Sequence, residues 1–218
     1  MPEAHVLSIT GLTVEYPGAR RVLDQFDWSL PTGVTGLLGP NGAGKSTLLR
    51  VLAALQPMVA GAVTLDGTTL QADPSAWRAH VGYLPQDFGL YPALSVRETL
   101  DYFAGLKGYT ARAERAAAVD YWLNAVNLWS VQHDRVPTLS GGMRQRLGVA
   151  IALCGEPRLV LLDEPTAGLD PTERRRLYDV LLAAATRAVV IVSTHIVEDV
   201  HGMVPHVARL DAGRLVDA

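Results

Sequence analysis

Three short clusters in this 218-residue chain carry residue types that could do chemistry together. The first is Gly39-Pro40-Asn41-Gly42-Ala43-Gly44-Lys45-Ser46-Thr47, which fits the pattern G-x-x-x-x-G-K-S. Glycines at these places let backbone N–H groups converge on phosphate, and a helix opening at Ser46 adds a favourable dipole. Lys45 is then expected to bridge the β- and γ-phosphates of a nucleotide, with the Ser46 hydroxyl on Mg²⁺. The chain has two lysines, Lys45 and Lys107, against seventeen arginines. A compact ammonium suits the end of a phosphate loop better than a guanidinium fork does. The second cluster is Leu159-Val160-Leu161-Leu162-Asp163-Glu164-Pro165. Asp163 closes an apolar run, where a carboxylate is costly without a partner such as Mg²⁺, bound directly or through water. Glu164 points a different way from its neighbour and can face an attacking water as general base. The third is Ser140-Gly141-Gly142, which opens a helix. Ser140 can cap that helix, and Gly142 lets backbone come close to an anion.

Composition narrows the class. Hydrophobic residues make up 49% and charged residues 19%, the balance of a soluble globular domain. A net charge of −3 gives no electrostatic case for nucleic acid. The single cysteine, Cys154, cannot form an internal disulfide and lies in an apolar run, so a small buried residue in a reducing compartment is expected. The most apolar stretch, Leu181–Val192, is interrupted by Thr186 and Arg187 and falls short of the ~20 apolar residues of a spanning helix. No basic region followed by an apolar core marks a secretory signal. If the protein works at a membrane, a partner must hold it there.

The elements that must position these clusters can be read from periodicity and punctuation. Val6–Ile9 and Leu12–Tyr16 alternate as two strands, and Val34–Leu38 runs straight into the glycine loop. Ser46–Leu55 reads as a helix. Val63–Leu65 leads into the turn Asp66-Gly67, and Val81–Leu84 is a further strand ending at Pro85-Gln86. Over about residues 87–150 the strand patterns give way to helix signals. Ser95-Val-Arg-Glu98 is a capping box, so a helix should begin near Val96. Ala111–Asn127 is alanine-rich and helical, and another helix runs through Met143–Leu153. Strands then return at Leu159–Leu162 and Val189–Ser193. Between them Asp170-Pro171-Thr172-Glu173 starts a helix to about Thr186. Val207–Leu210 and Arg214–Val216 flank the turn Asp211-Ala-Gly213 as a hairpin. This rhythm is that of an α/β domain with a helical subdomain inserted at about 87–150.

Leu139-Ser140-Gly141-Gly142-Met143-Arg144-Gln145, placed between the phosphate loop and the Asp163-Glu164 strand, resembles the signature of the ATP-binding subunit of an ABC transporter. The resemblance runs from about His5 to about Val216. It implies a P-loop NTPase fold of the ABC type, with an N-terminal antiparallel β subdomain. Residues 1–86 and 151–218 would form the RecA-like core with that β subdomain. ATP and Mg²⁺ are the implied cofactors. Ser140, Gly141 and Gly142 would contact the γ-phosphate of ATP held by a second copy or a paralogue, in a head-to-tail dimer. Gln86 would touch Mg²⁺ or the attacking water, and His195 would hydrogen-bond the γ-phosphate. Ala167-Gly168-Leu169-Asp170 would cross the dimer interface, although Asp170 is equally a helix cap. Tyr16 would stack on adenine, or else be an edge-strand or core tyrosine; stacking alone does not select ATP over GTP. The apolar run Asp87–Leu94 would receive a short helix of a membrane permease, or else pack within the helical subdomain. Arg174-Arg175-Arg176 reads as a solvated helix face, and His5, His80, His133, His201 and His206 as surface or loop residues without metal-ligand spacing.

Before Leu139 stands Asp134-Arg-Val-Pro-Thr138, unlike the Thr-Glu-Val-Gly stretch of exporters that fuse ATPase and membrane domains. The chain stops soon after its last hairpin. Together these departures suggest a minimal, free-standing ATPase subunit, and Tyr83–Pro92 with Ser193-Thr-His-Ile-Val-Glu-Asp199 resemble multidrug- or antibiotic-type exporters whose permease is a separate chain. Such a subunit would be cytoplasmic and peripheral on the inner face of the cell membrane. An importer ATPase, a soluble ABC ATPase outside transport and a non-catalytic nucleotide-binding module are the alternatives.

Overall fold

The computed structural model describes residues 6–18, 20–195 and 204–217. His5, His201 and the Ile196–Asp199 part of the exporter-like motif lie outside them.

The chain begins with β1 (Val6–Tyr16) and β2 (Arg20–Pro31), an antiparallel pair. The two short strands expected at the N-terminus are one bulged strand. Leu7 and Ile9 are buried at odd positions, Leu12 and Val14 at even ones. The register shift between Ile9 and Leu12, at Gly11 with φ 59, re-phases the side chains so that both pairs face the same core. β2 escaped the sequence reading. Its signal was the alternation Phe26, Trp28, Leu30, broken before Phe26 by Gln25 at φ 48. β4 (Ala60–Leu65) and β5 (Thr68–Thr69) complete a sheet in the order β2-β1-β4-β5.

The second sheet carries the predicted catalytic strands. β3 (Gly33–Leu38), β6 (Val81–Leu84), β7 (Leu159–Asp163) and β8 (Val189–Thr194) are parallel, and β9 (His206–Asp211) with β10 (Arg214–Asp217) close one edge as a hairpin. The order is β10-β9-β3-β8-β7-β6. The continuous apolar runs of β7 and β8 arise because both faces are covered. Leu159, Leu161, Val189 and Ile191 pack toward the first sheet and α1 (Lys45–Leu52). Val160, Leu162, Val190 and Val192 pack toward the remaining helices. α1 ends at Leu52, short of the expected Leu55, where Ala54 turns to φ 55. A short α2 (Pro74–Ala79), capped by Asp73, was not foreseen.

Between the neighbouring strands β6 and β7 stand α3 (Val96–Leu106), α4 (Arg112–Ala125) and α5 (Gly141–Leu153). Both bonds of the capping box at Ser95 and Glu98 are formed, and the backbone N–H of Ser95 holds the Glu98 carboxyl below its usual range. α3 is tied back to the sheet by the chain's second lysine. Lys107 Nζ donates to the carbonyl of Val81 at 2.8 Å, and burial lowers its pKa. α6 (Pro171–Ala184) comes after β7 and is capped as expected by Asp170, which accepts from the N–H groups of Thr172 and Glu173.

Candidate nucleotide site

The glycine loop connects β3 to α1. Gly44 stands at the N-cap of α1 with φ 110 and no side-chain cap, so the first-turn amides remain free for an anion. A side chain at Gly39 would put its Cβ 2.3 Å from the carbonyl oxygen of Leu210, which explains glycine at the loop's first position. Lys45 Nζ donates to the carbonyls of Gly39 (2.6 Å) and Pro40 (3.2 Å) and so lies across the loop. Burial lowers the Lys45 pKa, and the Glu164 and Asp163 carboxylates oppose that shift.

Tyr16, Asn41, Gly42, Gly44, Lys45, Ser46, Thr47, Gln86 and Glu164 line one cleft of about 520 Å³, together with Val22 of β2. The loop thus faces both the predicted base and the predicted sensor glutamine, which come from the ends of β7 and β6. Tyr16 is anchored by its hydroxyl, 3.3 Å from Thr47 Oγ1. Gly39, Pro40 and His195 line an adjoining cavity of about 780 Å³, and Ala43 is buried in the core beside the loop.

Asp163 is 2% exposed, and its carboxylate accepts from the hydroxyl of Ser193 on the paired strand. Glu164 adopts φ 52, a left-handed setting that turns the chain sharply at the strand end. Its N–H donates to the Ser193 carbonyl at 3.1 Å, and its carboxylate meets His195 Nδ1. Ser193 and Gln145 are the supporting residues that sequence reasoning quoted without a role. Gln145 donates from Nε2 to the Glu164 carbonyl at 3.2 Å. Neither partnership could be read from spacing, because each joins segments far apart in the chain.

Ser140 caps α5 through the N–H of Met143, as expected. Ser140 and Gly141 are exposed, and with Gly142 and Asp170 they stand apart from the cleft lining. Gly142 is buried for an intrachain reason that the sequence reading did not supply. A Cβ there would lie 3.1 Å from Leu169 and 3.3 Å from the Gly168 carbonyl, so α5 packs closely on the loop before α6. Arg146, one residue after Gln145, donates to the carbonyls of Val126 and Asn127 and pairs with Glu173 at 2.9 Å.

The apolar loop after Gln86 divides. Phe88 and Leu90 pack on the core, whereas Tyr91 is 52% exposed and meets Tyr102 edge to face. Of the arginine triplet, Arg175 and Arg176 are solvated, but Arg174 donates to the Leu169 carbonyl. His80, His133 and His206 stand apart from the cleft, and no cluster of potential metal-binding side chains occurs among the described residues. No helix among the described residues is long and apolar enough to cross a membrane.

A family profile described as ABC transporter matches residues 23–167. The chain is 38% identical over 188 residues to the probable multidrug ABC transporter ATP-binding protein YbhF of Escherichia coli, covering 85% of this chain and 32% of that one. It is 31% identical over 201 residues to the linearmycin resistance ATP-binding protein LnrL of Bacillus subtilis, covering 91% of this chain and 64% of that one. The chain therefore spans less than two thirds of the curated relatives it matches. Its fold superposes with a TM-score of 0.87, at 24% identity and 96% coverage of both chains, on the ATP-binding cassette MJ0796, solved as a dimer in a post-hydrolysis state with ADP and Pi. The profile spans the glycine loop, the Ser140–Gly142 helix start and the Asp163-Glu164 strand end, and this chain belongs to the ABC transporter family as an ATP-binding ATPase domain.

Proposed function

We propose that this domain binds and hydrolyses Mg·ATP to power a separate membrane permease, as the ATPase subunit of an exporter. The observation that carries this reading is the convergence of Lys45, Ser46, Gln86 and Glu164 on one cleft while the Ser140 helix start is exposed elsewhere. One chain then supplies most of a site, and Ser140, Gly141 and Gly142 of a second copy or a paralogue complete it. MJ0796 was solved as a dimer, which supports that arrangement.

The donors fit Mg²⁺. Ser46 and Gln86 line the cleft, and Asp163 is a buried carboxylate close enough to oppose, after Glu164, the lowering of the Lys45 pKa by burial. All three are oxygen donors of the kind a hard cation takes. Mg²⁺ would neutralise charge on the β- and γ-phosphates. Lys45 and the free amides of α1 hold the phosphates, with Gly39 to Thr47 shaping the loop and Tyr16 stacking on adenine. Glu164 accepts the proton of the attacking water, and Gln86 and His195 orient that water and the γ-phosphate. Asp170 sets the start of α6 and faces the partner.

The division into a core of residues 1–86 and 151–218 and a helical part at about 87–150 gives the permease a place to act. An apolar cavity of about 290 Å³ is lined by Leu55, Val81, Phe103, Ile151 and Ala152, between sheet and helices. Phe103 meets exposed Tyr102, its neighbour on α3, and Tyr102 meets Tyr91 in the loop that follows Gln86. A permease helix in this groove would hold the domain at the inner face of the membrane and sense nucleotide through Gln86. The names of YbhF and LnrL, a multidrug and a resistance protein, favour export.

The test is affinity capture of the Glu164→Gln protein, with Mg·ATP, from detergent-solubilised native cells, read by mass spectrometry. Recovery of a hydrophobic multi-span protein is expected. Recovery of soluble partners alone, from a protein whose native form hydrolyses ATP, would move the assignment to the soluble ABC ATPases.

A further inference from the structure

Glu164 is held by its backbone as well as by its carboxylate. Its N–H is fixed by Ser193 at the end of β8, 3.1 Å to the carbonyl and 3.2 Å to Oγ. Its carbonyl accepts from the N–H of Ala167 at 3.3 Å and from Gln145 Nε2 at 3.2 Å. Two of these partners belong to the sheet or to the loop that Glu164 itself begins. Gln145 alone among them comes from α5, the helix that Ser140 caps. Gln145 is 8% exposed, so its amide is committed to partners inside the protein.

The helix that carries Gln145 is also bound to the segment just beyond Glu164. Gly142 packs against Gly168 and Leu169, and Arg146 pairs with Glu173 of α6. A rotation or slide of α5 would therefore pull on the Glu164 carbonyl and on the loop leading to Asp170. Glu164 at φ 52 sits in a backbone region that a glutamate occupies only when its surroundings hold it there. Losing one tether lets the residue relax and carries its carboxylate with it.

We infer that Gln145 is a positioning residue for the general base, tying the helix that reads ATP across the dimer to the backbone of Glu164 in the same chain. The inference rests on the roles given above to Glu164 and to Ser140–Gly142. It adds a physical link between the two sites of a dimer: engagement of Ser140 by the partner's ATP sets the geometry of this chain's own base.

The test is steady-state and single-turnover ATP hydrolysis by the full chain with Gln145→Leu and Gln145→Glu, alone and combined with Glu164→Gln. Leucine removes the donor, and glutamate keeps the shape but turns an acceptor toward the carbonyl. In both variants turnover at saturating ATP should fall about 10- to 100-fold, the cost of a slightly misplaced catalytic group. KM for ATP should stay within about twofold. In the Glu164→Gln background the Gln145 substitutions should cost nothing further, because they act through the group already removed. Unchanged turnover, a loss confined to KM, or losses that multiply would overturn the inference. Loss of the folded state in both variants would assign Gln145 to stability alone and overturn it as well. Undiminished hydrolysis by Glu164→Gln alone would instead remove the assignment of the base. An inactive Glu164→Gln beside a fully active Gln145→Leu would sink only the inference.

Discussion

His195 Nδ1 lies 2.8 Å from Glu164 Oε1. The two residues come just after β8 and β7, whose parallel pairing ends at Asp163 opposite Ser193. Strand register thus brings together residues 31 positions apart in the chain. With Glu164 ionised, the imidazole donates from Nδ1, which orients the carboxylate and fixes the ring.

Replacing Glu164 with glutamine keeps the shape of this contact and removes the base. Turnover should fall by about 10²- to 10⁴-fold. Nucleotide affinity should remain, since the phosphate contacts come from the loop, and ATP should hold the variant as a stable dimer. Equilibrium nucleotide binding, initial-rate hydrolysis and size-exclusion chromatography with Mg·ATP check the three parts separately.

Lys45→Ala should act at an earlier step. The ammonium lies across the carbonyls of Gly39 and Pro40 and is the cation of the phosphate loop. Its removal should weaken ATP binding itself by at least about tenfold, in line with a charge-assisted contact of about 1.5–3 kcal/mol. Titration with a fluorescent ATP analogue measures this directly. An unchanged affinity would remove Lys45 from phosphate binding.

Gly148→Ala should destabilise the fold. The added Cβ would lie 2.6 Å from Leu84 Cδ1 and 2.7 Å from Phe88 Cζ, on either side of Gln86 in the chain. Overpacking of this kind costs about 1–3 kcal/mol. Urea unfolding should show the loss, and hydrolysis should fall as well because the strain falls on the segment carrying Gln86. Stability equal to the native protein would show that Phe88 moves aside freely.

Cys154 should be inert in the folded protein. Burial pushes its thiol up from 9.0 to about 11. The folded state therefore keeps the proton longer than the unfolded chain. This contribution to stability is fully present below pH 9.0 and is lost as pH rises through about 11. At pH 8 a thiol reagent should label Cys154 slowly in buffer and rapidly in denaturing urea. Fast labelling of the native protein would contradict the burial.

The phosphate loop, the Asp163-Glu164 strand end and the Ser140, Ser95 and Asp170 caps were legible because each depends on neighbours within a few residues. A capping box needs only Ser95 and Glu98, and a phosphate loop only its own glycines and Lys45. β1 was misread as two strands because the bulge at Gly11 shifts the phase of the apolar residues, and periodicity cannot distinguish a shifted phase from a break. β2 was missed for the same reason at Gln25. The role of Lys107 was not legible, since the Val81 carbonyl it reaches is 26 residues away and carries no side-chain signal.

By itself the sequence determined the local features: a glycine loop of the phosphate-binding pattern, the carboxylate pair Asp163-Glu164 at a strand end, to which we assign metal and base, and a capped glycine helix start. Those are local properties of residue type and spacing. Only the tertiary structure decided which groups meet. Parallel register set His195 on Glu164 and Ser193 on Asp163. Packing of α5 against the sheet brought Gln145 to the Glu164 carbonyl and closed Gly142 onto Leu169. Such contacts depend on how strands and helices stack, so the chain reveals them only once its apolar faces have found each other.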